Sequence, residues 1–178
     1  MAKNQLIYYI EMRSLGRGFR VFDSSERQLF EVESPKVFDA GLLLKDTYGK
    51  TVAEVKDKSG WFGFQFDVYR KSTRVAIVER DGFSFRRSFV VHEKRRRSSA
   101  VQIKDAALCC GGIAFELRRR GRRIATLMEH ADGICLPATF ALIVQEQEDA
   151  ITLLCASIVV CRAVDQQRKS TAAASAAI

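Results

Sequence analysis

The stretch Ala150–Val164, AITLLCASIVVCRAV, decides how the rest of the chain is read. It is apolar on nearly every side, while almost everything before it reads as short β-strands. A helix without a polar face must be enclosed, by protein or by lipid. Fifteen residues rise only roughly 22 Å, short of a ~30 Å hydrocarbon core, and Arg162 falls inside the stretch. The expectation is therefore enclosure by protein, with no transmembrane span. A long buried strand is the alternative, because Ile151, Thr152, Ile158, Val159 and Val160 are β-branched. Length favours the helix: strands usually stop near ~10 residues, and nothing breaks this run. Burying Ile151, Leu153, Leu154, Ile158, Val159, Val160 and Val164 contributes on the order of 10–20 kcal/mol gross. That exceeds the typical net stability of a domain, about 5–15 kcal/mol.

Upstream, a weak repeat runs through the chain. Asp23-x5-Leu29-Phe30-Glu31-Val32 lines up with Asp46-x5-Val52-Ala53-Glu54-Val55, and the shape recurs at Val75–Val78 and Ile124–Leu127. The copies start 23, 23 and 49 residues apart. Each follows a polar turn: Ser24-Ser25-Glu26, Thr47-Tyr48-Gly49, Lys71-Ser72-Thr73 and Arg120-Gly121-Arg122. Strand, polar turn and strand make a β-hairpin, so the repeat predicts hairpins laid side by side. Alternation agrees: Phe62, Phe64, Phe66 and Val68 face one way, and Gly63, Gln65, Asp67 and Tyr69 the other. Phe115 and Leu117 alternate with Glu116 and Arg118 in the same manner. Short strands with regular turns point to a closed antiparallel β-barrel, which removes exposed edges. Leu136-Pro137 marks a break, Phe140–Val144 a last strand, and Asp149 suits the N-cap or first turn of the helix. Residues 1–166 read as one domain and residues 167–178 as a disordered tail. Asp165 is awkward at a helix C-terminus, where the dipole opposes a carboxylate; Arg162 offers an offset.

A length of 178 residues, with 47% hydrophobic and 28% charged residues, is that of an ordinary folded domain. The balance of 29 basic to 21 acidic side chains gives +8 and favours polyanionic partners. The five cysteines (Cys109, Cys110, Cys135, Cys155 and Cys161) are odd in number, and two fall in the apolar helix. They do not make a disulfide framework, so a reduced, intracellular and most simply cytoplasmic compartment is expected. His92 and His130 lack ligand spacing, so neither a metal nor another cofactor is expected. The N-terminus carries no continuous apolar segment of the secretory kind.

Gly18-Phe19-Arg20-Val21-Phe22-Asp23, Leu42–Lys50 and the acid-bracketed helix from Asp149 to Asp165 together resemble the LURP-one-related family. Its domain is similar to the C-terminal domain of Tubby proteins and to phospholipid scramblases. The likeness covers roughly Tyr8 to Gln166. It implies a mainly β fold of about twelve strands closed around a central hydrophobic C-terminal α-helix. It also implies association with phosphoinositide or other anionic phospholipid headgroups at a membrane periphery, or a defence-related regulatory role. No local motif carries a particular headgroup-binding residue to a position of this chain.

Two basic clusters are the candidate site: Lys94, Arg95, Arg96 and Arg97, and Arg118, Arg119, Arg120, Arg122 and Arg123 around Gly121. Arginine forks match phosphate geometry, and hairpin turns of a closed barrel gather at its ends. The competing reading is of separate solvated turns opposed by Glu79, Glu93 and Glu116. Nucleic acid is a weaker reading of the same charge, because Phe83, Phe85 and Phe89 beside Arg86 and Arg87 alternate as core residues do. Catalysis is not indicated. Gly16-Arg17-Gly18 lacks a phosphate-loop frame, His92-Glu93 is not HExxH, and Cys109-Cys110 has no recognisable histidine partner. The chain thus reads as a non-catalytic binding module for anionic headgroups, the alternative being a cytosolic or nuclear protein-interaction module.

Overall fold

The computed structural model describes residues 5–13, 18–34, 41–59, 64–81, 88–94, 100–106, 112–130 and 138–175. The strands are β1 (Gln5–Met12), β2 (Gly18–Phe22), β3 (Gln28–Glu33), β4 (Leu42–Asp46), β5 (Thr51–Asp57), β6 (Gln65–Arg70), β7 (Thr73–Arg80), β8 (Ser88–Glu93), β9 (Val101–Ala106), β10 (Ala114–Arg119), β11 (Arg122–His130) and β12 (Thr139–Gln145). One helix, α1 (Ala150–Ser175), follows. Sequential strands are antiparallel neighbours all the way round, and β1 closes the ring against β12 from Gln5↔Gln145 to Glu11↔Thr139. A closed ring leaves no ladder of unpaired backbone groups.

The repeat is a repeat of bulged hairpins. Its copies lie in β3, β5, β7 and β11, each the second strand of a hairpin with a tight turn. In all four hairpins the register shifts just before the turn: at Val21/Phe22, Leu44/Lys45, Val68/Tyr69 and Leu117/Arg118. An extra residue at such a point bends the strand and increases its twist, which closing a small barrel requires. The wider third spacing accommodates the β8–β9 pair. Inward positions carry Ile10, Val21, Val32, Leu44, Val68, Val78, Val91, Ile103, Leu117, Leu127 and Leu142, all buried. Gly18 stands where a Cβ would come within 2.2 Å of the Val32 carbonyl oxygen, so its place in β2 is dictated by packing.

The helix threads this ring, with Thr152–Cys161 and Val164 buried. Asp149 caps it: the Thr152 N–H donates to Oδ1 at 3.3 Å and the Thr152 hydroxyl to Oδ2 at 3.0 Å. Two expectations are corrected. The helix does not stop near Val164, and residues 167–175 are helical instead of a disordered tail. Alanine, the best helix former, fills positions 172–174. Arg168 also ties the extension to β11, donating to both Glu129 carboxylate oxygens at 2.7 and 2.8 Å. The full 26 residues rise about 39 Å, so length does not exclude a bilayer. What satisfies the apolar faces is the strand enclosure. Asp165 meets no helix terminus; Lys169, one turn on, pairs with it at 2.6 Å.

We expect Ile158→Asp, which places a carboxylate at the 1%-exposed centre of the helix, to abolish soluble expression; normal yield and melting would contradict the enclosure. The extension gives an acid-dependent prediction. The Arg168 guanidinium holds the Glu129 carboxyl below its ordinary value. That stabilisation is present above the ordinary carboxylate range and is lost as pH falls through the lowered value. Amide-exchange protection over 167–175 should therefore fall on acidification, whereas Arg168→Met should lack it at neutral pH and show no further acid step.

Candidate functional site at the upper rim

The tight turns 23–27, 46–50, 70–73 and 119–122, the ends of β8 and β12, and the start of α1 all lie at one end of the barrel, here the upper rim. A cleft of about 670 Å³ opens there between the β4–β5 turn, the β6–β7 turn, the end of β8 and the first turn of α1. Its basic lining is Lys50, Arg70, Lys71, Arg74 and Lys94.

Local chemistry fixes each of these. Asp46 Oδ1 accepts the backbone N–H groups of Tyr48 at 3.0 Å and Lys50 at 2.9 Å, and Gly49 takes the left-handed φ of +79° that closes the turn. Lys71 and Ser72 are both left-handed, at φ +46° and +60°, as a two-residue hairpin turn with matching twist requires. Non-glycine residues meet a steric penalty of roughly 1–2 kcal/mol each in that conformation, so the flanking ladder must hold this tip. Arg70 Nη1 donates to both oxygens of Asp149, at 3.2 and 3.1 Å. Arg74 reaches Asp67 at 3.3 Å. Asp67 points outward as alternation predicts, yet it is 4% exposed beneath Arg74 and Tyr69.

The acids at the cleft are engaged elsewhere. Asp46 serves its own turn, Asp149 caps the helix and orients Arg70, and Glu93 binds Arg119 at 2.6 Å. Among the described residues none pairs with the ammonium groups of Lys50, Lys71 or Lys94, all exposed. The cleft therefore offers two guanidiniums anchored by carboxylates and three free point charges. Thr51 and Thr73 also line it.

The sequence candidates sort by what they touch. Lys94 lines the cleft, and Arg95, Arg96 and Arg97 lie outside the described residues. Arg119 is buried, 8% exposed, donating Nη2 to Glu93 and Nη1 to Glu148. Its Nε has no partner among the described residues. Arg118 binds Glu116 at 2.6 Å and donates to the Gly121 carbonyl at 3.1 Å. Arg123 lies 3.6 Å from Glu116, and Arg122 donates to Gln145 Oε1 at 3.2 Å. Arg120 sits exposed at the turn tip with φ +50°. The Arg119–Glu93 bond reaches across β9 to link the end of β10 to the end of β8, next to Lys94. Of the expected opposing acids, Glu93 and Glu116 do meet these arginines, while Glu79 lies 3.9 Å from His92.

Lys50, Arg70, Lys71 and Arg74 escaped sequence reading because they are scattered over two turns and form no run. A signal did exist: Arg27, Lys50, Arg74 and Arg123 each stand one or two positions before a copy of the repeat. The candidate nucleophiles Cys109 and Cys110 lie outside the described residues. Cys155 and Cys161 are unpaired and enclosed in the helix core. Burial pushes the Cys155 thiol up to about 12 and raises Cys161 as well, so neither supplies a thiolate. Among the described residues no group of three or more His, Cys, Asp and Glu side chains could hold a metal.

Comparison with known proteins adds to this geometry. A family model described as LURP-one-related matches residues 6–162. The X-ray structure of a protein from Arabidopsis thaliana is similar with a TM-score of 0.59, at 16% identity over 92% of this chain and 93% of that one. At that identity the likeness concerns the fold alone. No curated protein sequence matches.

Arg119 joins the strand that carries Lys94 to the segment that carries Asp149 and hence Arg70, so it holds two walls of the cleft together. Removing the cation from between two nearly buried carboxylates should cost about 3–5 kcal/mol. Urea unfolding of Arg119→Met should report that loss, and adding Glu93→Gln and Glu148→Gln should recover much of it.

Proposed function

The chain belongs to the LURP-one-related family, and we propose that it is a non-catalytic binding module whose upper rim takes the phosphate-bearing headgroups of anionic phospholipids. The observation that carries the reading is the charge arrangement of the cleft. Its carboxylates are occupied by the protein's own turns, helix cap and buried arginine, while Lys50, Lys71 and Lys94 are left for an outside anion. Anchored guanidiniums such as Arg70 and Arg74 present a fixed fork to phosphate oxygens. The lysines add attraction that needs no fixed geometry.

Around the cleft, Arg120 and the outer faces of Arg118, Arg122 and Arg123 extend the positive field across the same rim. They steer a flat anionic surface toward the cleft, while Arg119 acts as a structural tie. Of the phenylalanines that suggested nucleic acid, Phe89 is 4% exposed and lies at the opposite end of the barrel from this charge, so it offers no face for base stacking here. The setting that fits is the cytoplasmic side of a membrane, with the barrel docking peripherally and keeping its apolar helix to itself.

Co-sedimentation with phosphatidylcholine vesicles, plain or doped with phosphatidylserine or a phosphoinositide, tests the reading. Recovery should require the anionic lipid and weaken as salt is raised. Changing Lys50, Lys71 and Lys94 to Gln together should lower affinity on the order of 100-fold. Changing Arg118, Arg120, Arg122 and Arg123 to Ala should have a smaller effect, because these arginines are already engaged within the protein. Equal, salt-insensitive recovery on every vesicle would overturn the proposal. Absence of recovery, with salt-insensitive capture of a protein, would favour the protein-interaction reading.

A further inference from the structure

The 23–27 and 46–50 turns are the same turn built twice. In each, the leading aspartate accepts from the backbone N–H groups two and four positions on: Asp23 from Ser25 at 2.8 Å and Arg27 at 3.0 Å, Asp46 from Tyr48 at 3.0 Å and Lys50 at 2.9 Å. In each, the aspartate's backbone N–H donates to the carbonyl four residues on, at 3.0 and 2.9 Å. The residue three positions on is left-handed in both, Glu26 at φ +60° and Gly49 at φ +79°. Both turns stand on the upper rim.

The third position differs. One turn places Ser25 at its tip and the other Tyr48, which is 94% exposed. The backbone does not call for an aromatic ring there, since Ser25 makes the same bonds. The ring does not serve the core either, being almost wholly outside it. Among the described residues the other exposed large hydrophobic side chain is Leu6, far less exposed at 39%. It lies in β1, one residue from the Gln5↔Gln145 pair at the same rim.

We infer that Tyr48 is an interfacial anchor that enters the headgroup layer of an anionic bilayer when the upper rim docks. This deepens the headgroup reading and rests on it. Tyrosine suits a membrane–water interface because its ring is apolar while its hydroxyl stays solvated. Lys50 lies two residues away and lines the cleft, so the charge that attracts the surface and the ring that enters it share one turn. The Asp46 bonds preform the tip, which limits the ordering cost of insertion. Charge sets the approach of the rim, and Tyr48 sets its depth and tilt.

The experiment compares wild type, Tyr48→Ala, Tyr48→Trp and Ser25→Ala on phosphatidylcholine vesicles containing phosphatidylserine. Affinity is measured across a salt series, and quenching by brominated lipid is read against the wild-type signal from Trp61. Tyr48→Ala is expected to weaken binding about five- to tenfold by a ratio that stays constant with salt, with melting unchanged. Ser25→Ala should bind like wild type, and Tyr48→Trp should be quenched and blue-shifted beyond the Trp61 background. If wild type binds but Tyr48→Ala binds equally and the new tryptophan is not quenched, the anchor is wrong and the headgroup reading survives. If wild type does not bind these vesicles or phosphoinositide-doped ones, both fall.

Discussion

A helix that is apolar on every side has to be surrounded, and the rest of this molecule is the means of surrounding it. Leu153, Leu154, Ile158, Val159 and Val160 are at most 1% exposed, yet no single sheet could cover them. A sheet buries one face of what packs on it; only a sheet closed on itself buries all of them. Closure then dictates the sequence upstream. Inward positions alternate with outward ones, and the bulges before four hairpin turns supply the bend that brings β1 round to β12.

Closure also separates the work of folding from the surface that remains. The core is strands and helix, whereas the turns need only backbone chemistry: an aspartate accepting its own N–H groups, or two residues willing to be left-handed. Side chains at the tips are then free to vary. At the upper rim they collect positive charge, and the carboxylates nearby are each held by a structural task. Arg119 shows the same economy in reverse. It lies in the basic run most conspicuous to a reader of sequence, but the register turns it between Glu93 and Glu148, where it ties the helix lead-in to the barrel.

Much of the fold was legible because it rests on periodicity. Alternation at Phe66, Val68, Phe115 and Leu117, the repeat of polar turns, and the featureless helix all encode burial, and burial decides the architecture. The helix end was not legible. Arg168 and Lys169 read as a polar tail until their partners Glu129 and Asp165 are seen, the first of them on a strand 39 residues away. The site was only partly legible for a similar reason. Consecutive arginines are conspicuous in a sequence, but neighbouring residues in strands and turns point in different directions. The cleft draws on Lys50, Lys71 and Lys94, one from each of three hairpins, and only barrel topology makes them neighbours.

The comparison of Ser25 with Tyr48 shows how function can be separated from folding inside one chain. Two turns that share every backbone bond impose the same local demands, so a difference between their tips cannot be owed to those demands. One tip stays polar and the other presents a bare aromatic ring to solvent, and it is this difference, not owed to the turn's backbone bonds, on which the proposed anchor rests. A repeated motif thereby serves as its own control. The positions at which the copies agree report the fold, and those at which they part are the ones the fold leaves free to vary.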